Sequence, residues 1–117
     1  CRHVETLMLD SIRFHQEKPD GRPALIADDV GEVDLRSITA DPPSGDQPAL
    51  WLRDVRGCFM QGSRARTGTK TFVKLSGAKT TDIRAIGNDF SEAGKAILRE
   101  PEVPEQALRQ EANLLPG

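Results

Sequence analysis

The chain has 117 residues, a net charge of −2 and 37% hydrophobic residues, with four Phe, one Trp and no Tyr. A chain this short makes one domain, and its near-neutral charge removes any whole-chain attraction to nucleic acid or to a membrane surface. No apolar run approaches the roughly 18 residues of a membrane span, and Cys1 and Cys58 are too few for a disulfide framework or a metal site.

The first predicted element is Val4-x-x-Leu7-x-Leu9-x-x-Ile12-x-Phe14. It recurs as Val30-x-x-Val33-x-Leu35-x-x-Ile38-x-Ala40, then as Val55-x-x-Cys58-x-Met60-x-x-Ser63-x-Ala65. A fourth, weaker copy reads Ala78-x-x-Thr81-x-Ile83-x-x-Ile86-x-Asn88. A second register precedes three of the copies as Leu25-x-Ala27, Leu50-x-Leu52 and Val73-x-Leu75, and Ile97 begins another. The chain opens on Cys1 rather than Met and inside this pattern, so it is read as a processed or excised piece of a longer protein.

Alternation at period two marks strands with one face in and one face out. The runs are too short to pair within their own unit, so each pairs in parallel with its equivalent one unit away, and each coil buries its apolar face on the next. The expected interior columns are Leu7/Val33/Cys58/Thr81 and Leu9/Leu35/Met60/Ile83. Long turns are expected at "EKPDGR", "DPPSGD" and "RTGTKT". A leucine-rich repeat shares part of the pattern, but it wants Asn or Cys where Ile12, Ile38, Ser63 and Ile86 stand here. It also lacks a second alternating strand such as "ALWLRD". The reading is an all-β, right-handed, single-stranded parallel β-helix of about four coils over residues 1–98, with a C-terminal capping tail over 99–117. The composition of "EQALRQEANLL" suits a helix, with Ala107, Leu108, Leu114 and Leu115 available to cover the last coil.

The stretch "HVETLMLDSIRFHQEKPDGRPALIADDVGEVDLRSITAD", with "PALWLRDVRG" after it, resembles the C-terminal coils of pectin-lyase-like β-helix proteins. The closest likeness is to relatives of the family 28 glycoside hydrolases, the polygalacturonase group. That resemblance implies a secreted or periplasmic setting and inverting hydrolysis of glycosidic bonds by aspartates. The group's Asn-Thr-Asp, Gly-His-Gly and Arg-Ile-Lys motifs are absent here, so no catalytic residue carries over and no cofactor is implied.

Asp28-Asp29 is the one acidic pair of the kind a glycosidase needs. Asp29, however, shares its column with His3, Asp54 and Gly77, which is the composition of a turn requiring positive φ. His3 and His15 stand without a nucleophile in recognisable motif context, and Cys58 belongs to an interior column. Residues 53–79 carry seven basic side chains against the single acid Asp54, whereas residues 100–111 carry four Glu against one Arg. Trp51, Arg53 and Lys74 are expected to be neighbours on adjacent coils, a platform on which an acidic polysaccharide would stack and be held by its carboxylates. The competing reading treats the outer column Ile26, Trp51, Lys74 and Leu98 as an apolar seam. A homo-oligomer, or the remaining coils of a parent chain, would then cover that seam and the open first coil.

Overall fold

The computed structural model describes residues 2–14, 23, 25–40, 47–66, 68–111 and 113. Every strand pair in it is parallel, and equivalent strands stack coil on coil into an all-β solenoid of about four turns. Each turn has three strand-bearing sides. The first side is built by the start of β3 (Leu25–Arg36), β5 (Leu50–Arg53), β8 (Thr71–Ser76) and β10 (Lys95–Arg99). The second comprises β1 (Arg2–Asp10), the remainder of β3, β6 (Cys58–Gln61), β9 (Ile83–Ile86) and β11 (Leu108–Glu111). The third is narrow: β2 (Arg13–Phe14), β4 (Thr39–Ala40) and β7 (Arg64–Ala65), extended by a bridge from Arg64 to Asp89.

The inward residues of these strands are the core: Leu25, Leu50 and Val73 on one side, Val33, Cys58 and Ile83 on the next, Ala40 and Ala65 on the third. The corners follow from residues that tolerate a left-handed backbone. Asp29, Asp54 and Gly77 stack at one corner with φ of 56°, 51° and 91°. Ser11, Ser37, Gly62 and Gly87 stack at the next with φ of 57°, 53°, 66° and 68°. Asp and Ser reach this region because a short polar side chain can bond nearby backbone. Gly31 serves a different need, since a Cβ there would lie 2.5 Å from the Glu5 carbonyl oxygen. Only glycine lets the first coil close onto the second at that point.

Two expectations are corrected. The fourth coil is displaced by two residues from the expected register: Ile83, not Thr81, lies under Cys58, and Ala85, not Ile83, lies under Met60. The long turn before β8 is two residues shorter than its predecessor, and the corner after Gly77 is two residues longer than the one after Asp54, so the circuit returns to 25 residues on the second side. A slip of two leaves every side chain on the same face, which is why the alternation alone did not reveal it. The helix expected in the tail is reduced to one 3-10 turn at Glu105–Ala107, followed by β11, which pairs with β9. Residues 108–111 therefore continue the stack as part of a fifth coil. Leu114, Leu115 and the turns "EKPDGR" and "DPPSGD" lie outside the described residues.

The two ends of the stack differ. Val4, Leu7, Leu9, Ile12 and Phe14 are only half-buried, while their equivalents Val30, Val33, Leu35, Ile38 and Ala40 are almost wholly buried one coil below. Among the described residues, β1 is paired only through β3.

Candidate functional site

The registers bring Trp51, Arg53 and Lys74 together as expected, because Trp51 lies directly over Lys74 in the ladder and Arg53 is two residues along on the same face. The Lys74 ammonium is 4.5 Å from the centroid of the Trp51 ring and the Arg53 guanidinium carbon is 5.6 Å from it. The indole Nε1 donates to Ser76 Oγ at 2.7 Å. Ile26, Trp51, Lys74 and Leu98 do form one outer column.

The cations of this cluster already have carboxylates. Arg53 Nη2 is 2.6 Å from Asp28 Oδ2, and Lys74 Nζ is 3.3 Å from Glu100 Oε1. The hydrogen bond from Arg53 to Asp28, and then the charge of Asp28, hold the guanidinium more firmly protonated than usual. At this half-exposed surface such pairs add little stability. Their effect is on recognition, since an incoming carboxylate has to displace Asp28 or Glu100 before it can bind, and Lys74 covers one approach to the indole.

Asp28 and Asp29 do not form an acid pair aimed at a substrate. Asp28 turns to Arg53. Asp29 sits at the positive-φ corner and accepts from Arg56 Nη1 at 2.8 Å. The side chain of His3 and all of His15 lie outside the described residues. Among the described residues, no cluster of three or more His, Cys, Asp or Glu side chains is arranged to hold a metal.

Two features were missed from the sequence. The outer face of the second side forms a shallow cleft of about 260 Å³, in which Thr6, Glu32, Gly57 and Asp82 make one wall and Met8, Asp34, Phe59 and Arg84 the other. Gly57 leaves a gap between Glu32 and Asp82. Both carboxylates, however, are exposed rather than set in the apolar surroundings that a general acid requires. Asp34 pairs with Arg36 and Asp82 with Arg84, each at 3.3 Å.

The second feature is an interior polar ladder. Asn88 Oδ1 accepts from Ser63 N at 2.9 Å, and Asn88 Nδ2 donates to Met60 O and to Asn113 Oδ1, each at 3.0 Å. Asn113 Nδ2 in turn donates to Ala85 O at 2.7 Å. Above them Ser63 Oγ accepts from Ile38 N at 3.2 Å. This ladder satisfies backbone groups at the second corner, where the chain leaves one strand side for the next.

Cys58 is interior, between Val33 and Ile83, and burial followed by the charge of Asp34 pushes its thiol up to about 12. Thiolate is then on the order of 10⁻⁴ of the thiol at pH 8. In a Cys1→Ser background the folded protein is expected to resist a disulfide reagent at pH 8 and to react with one thiol on unfolding. Rapid labelling of the folded state would place Cys58 in an open site. The folded state keeps this proton beyond the unfolded thiol's pKa of about 8.5, so its contribution to stability is complete below that pH and is lost as the pH rises above it. Cys58→Val is expected to remove that part of the alkaline slope.

Comparison with protein-family models, with curated proteins and with solved structures finds no match to this chain.

Proposed function

We propose that the chain is a non-catalytic assembly module whose open first coil docks against a second copy of itself. The observation behind this reading is the row of half-buried apolar residues, Val4, Leu7, Leu9, Ile12 and Phe14, beside the edge of the nine-residue strand β1 that is unpaired among the described residues. An uncovered parallel edge next to apolar surface is a template for strand addition. Pairing first coil to first coil is self-complementary and closes at a dimer, whereas head-to-tail stacking would grow without limit. The outer column is less suited to the contact, because Lys74 lies over Trp51 and divides Ile26 from Leu98.

The test is solution mass by light scattering on wild type, Leu7→Lys and Trp51→Ala. Wild type is expected at twice 12.8 kDa. In the monomer a lysine at position 7 can reach water past the open rim, but in the dimer its ammonium is buried. Leu7→Lys is therefore expected to give folded monomer and Trp51→Ala to leave the dimer intact. A wild-type monomer at all concentrations would overturn the reading, and a dimer lost only in Trp51→Ala would move the interface to the outer column.

A second reading follows from the gathering of Trp51, Arg53 and Lys74. The chain would be a segment of a pectin-lyase-like, polygalacturonase-related protein, contacting an acidic polysaccharide there. It is the weaker of the two, because Asp28 and Glu100 occupy the cations that would hold the sugar.

A further inference from the structure

The third side of the solenoid carries a polar cleft of about 390 Å³ lined by Arg13, Thr39, Arg64, Ala65, Arg66 and Glu92. Arg13, Thr39 and Arg64 are consecutive members of one outward column, paired coil to coil. Neighbouring strands are about 4.8 Å apart, so Arg13 and Arg64 straddle Thr39 at a backbone separation of about 10 Å. Two long side chains on that spacing can close on one small anion, with Thr39 between them in the same column.

The lining of the cleft is mostly cationic. Among the described residues it has three guanidinium groups and one carboxylate, Glu92; Asp89 lies just below Arg64 and its charge is felt there, but neither Arg13 nor Arg64 is in an ion pair within 4.0 Å. Arg66 and Glu92 have polar or charged contacts of their own, so the site rests on Arg13, Thr39 and Arg64. Asp89 is next in the column below Arg64. Its Oδ1 accepts from Ser91 Oγ at 2.6 Å and Ser91 N at 3.1 Å, bonds that tie it to its own turn.

We propose that this cleft binds a tetrahedral oxyanion, the phosphate or sulfate group of a small ion or ester, clamped between Arg13 and Arg64 across the Thr39 hydroxyl. A guanidinium offers paired N–H donors whose spacing matches two oxygens of such a group, and two guanidiniums on opposite walls can hold it from both sides. A planar carboxylate presents only two oxygens and cannot engage both walls and the hydroxyl equally.

The test is a titration of the ¹⁵N-labelled protein, followed at the amides of Thr39 and Arg64, with inorganic phosphate, inorganic sulfate, methyl phosphate and glucuronate at constant ionic strength. Saturable shifts are expected with phosphate and sulfate in the millimolar range. Binding is expected to weaken about tenfold in Arg13→Gln and in Arg64→Gln and to be unchanged in Arg84→Gln, which lies on another side. Tighter binding of methyl phosphate than of phosphate would identify an ester as the natural group, and the reverse would identify the free ion. Shifts that do not saturate, that survive in the Arg13→Gln/Arg64→Gln double variant, or that glucuronate reproduces at equal concentration would overturn the proposal. All three side chains point outward from the core, and retention of the wild-type amide spectrum elsewhere checks that the variants fold.

Discussion

Replacing Asn88 with alanine is expected to destabilise the protein by about 3 kcal/mol, because two backbone groups lose their partners in a buried region. Asn88 is 2% exposed. Its side chain accepts from the Ser63 N–H and donates to the Met60 carbonyl, and alanine can do neither. Each orphaned group costs about 1–3 kcal/mol, and dispersion within the new void is lost besides. Asn113→Ala removes an equivalent residue one coil lower, but there the side chain is half-exposed and water can replace the lost bonds. About 1 kcal/mol is expected at that position. Chemical denaturation of the two variants beside wild type measures both. Equal, small losses would mean that the ladder is incidental to stability.

A larger loss, about 4 kcal/mol, is expected for Phe90→Ala. Phe90 and Phe72 are wholly buried and their rings meet at 5.2 Å between centroids with a 41° tilt, where the third side turns into the first. The residue stacked above Phe90 in its column is Ala65, and above that Ala40. Alanines above a phenylalanine leave room for the ring, and they are too small to fill the space when it is removed, so Phe72 is left facing a void. Phe90→Leu should recover roughly half of the loss by refilling part of the volume. Because a domain of this size has about 5–15 kcal/mol in all, the alanine variant is expected to unfold at far lower urea than any surface variant. A shift under 1 kcal/mol would mean the rings are not the packing centre of the lower coils.

Most of the architecture was legible because a solenoid writes its contacts as a period. The stacking of Leu25, Leu50 and Val73 followed from aligned alternation, and so did the corner at Asp29, Asp54 and Gly77, where only residues tolerant of positive φ recur. The fourth coil was misaligned because its two-residue displacement preserves inward and outward faces, leaving no hydrophobic penalty to betray it. That error hid the ladder. Asn88 was placed in the column of Phe14, Ala40 and Ala65, which belongs to Phe90. Asn113 was read as part of a helical tail, although the two asparagines stand 25 residues apart, the same interval as Cys58 and Ile83.

The Trp51 cluster was legible from register alone, since neighbours across a parallel ladder are fixed once the coils are aligned. Its self-neutralisation was not. Asp28 lies one coil before Arg53, but whether it bonds Arg53 or faces solvent depends on side-chain rotamers that no period encodes. The third-side cleft went unread because β2, β4 and β7 are two residues each and leave almost no alternation to detect.

The all-parallel stacking has a mechanical consequence. Each coil is bonded only to its neighbours, and its strands lie across the stacking axis, so tension applied between the two ends loads one row of hydrogen bonds at a time. Rows loaded in sequence peel, whereas strands pulled along their length resist together in shear. A coil of 25 residues, such as that from Cys58 to Ile83, pays out about 85 Å of chain when it comes free. The molecule is thus compliant under an axial pull and stiff across it, yielding from its ends inward in nearly equal steps.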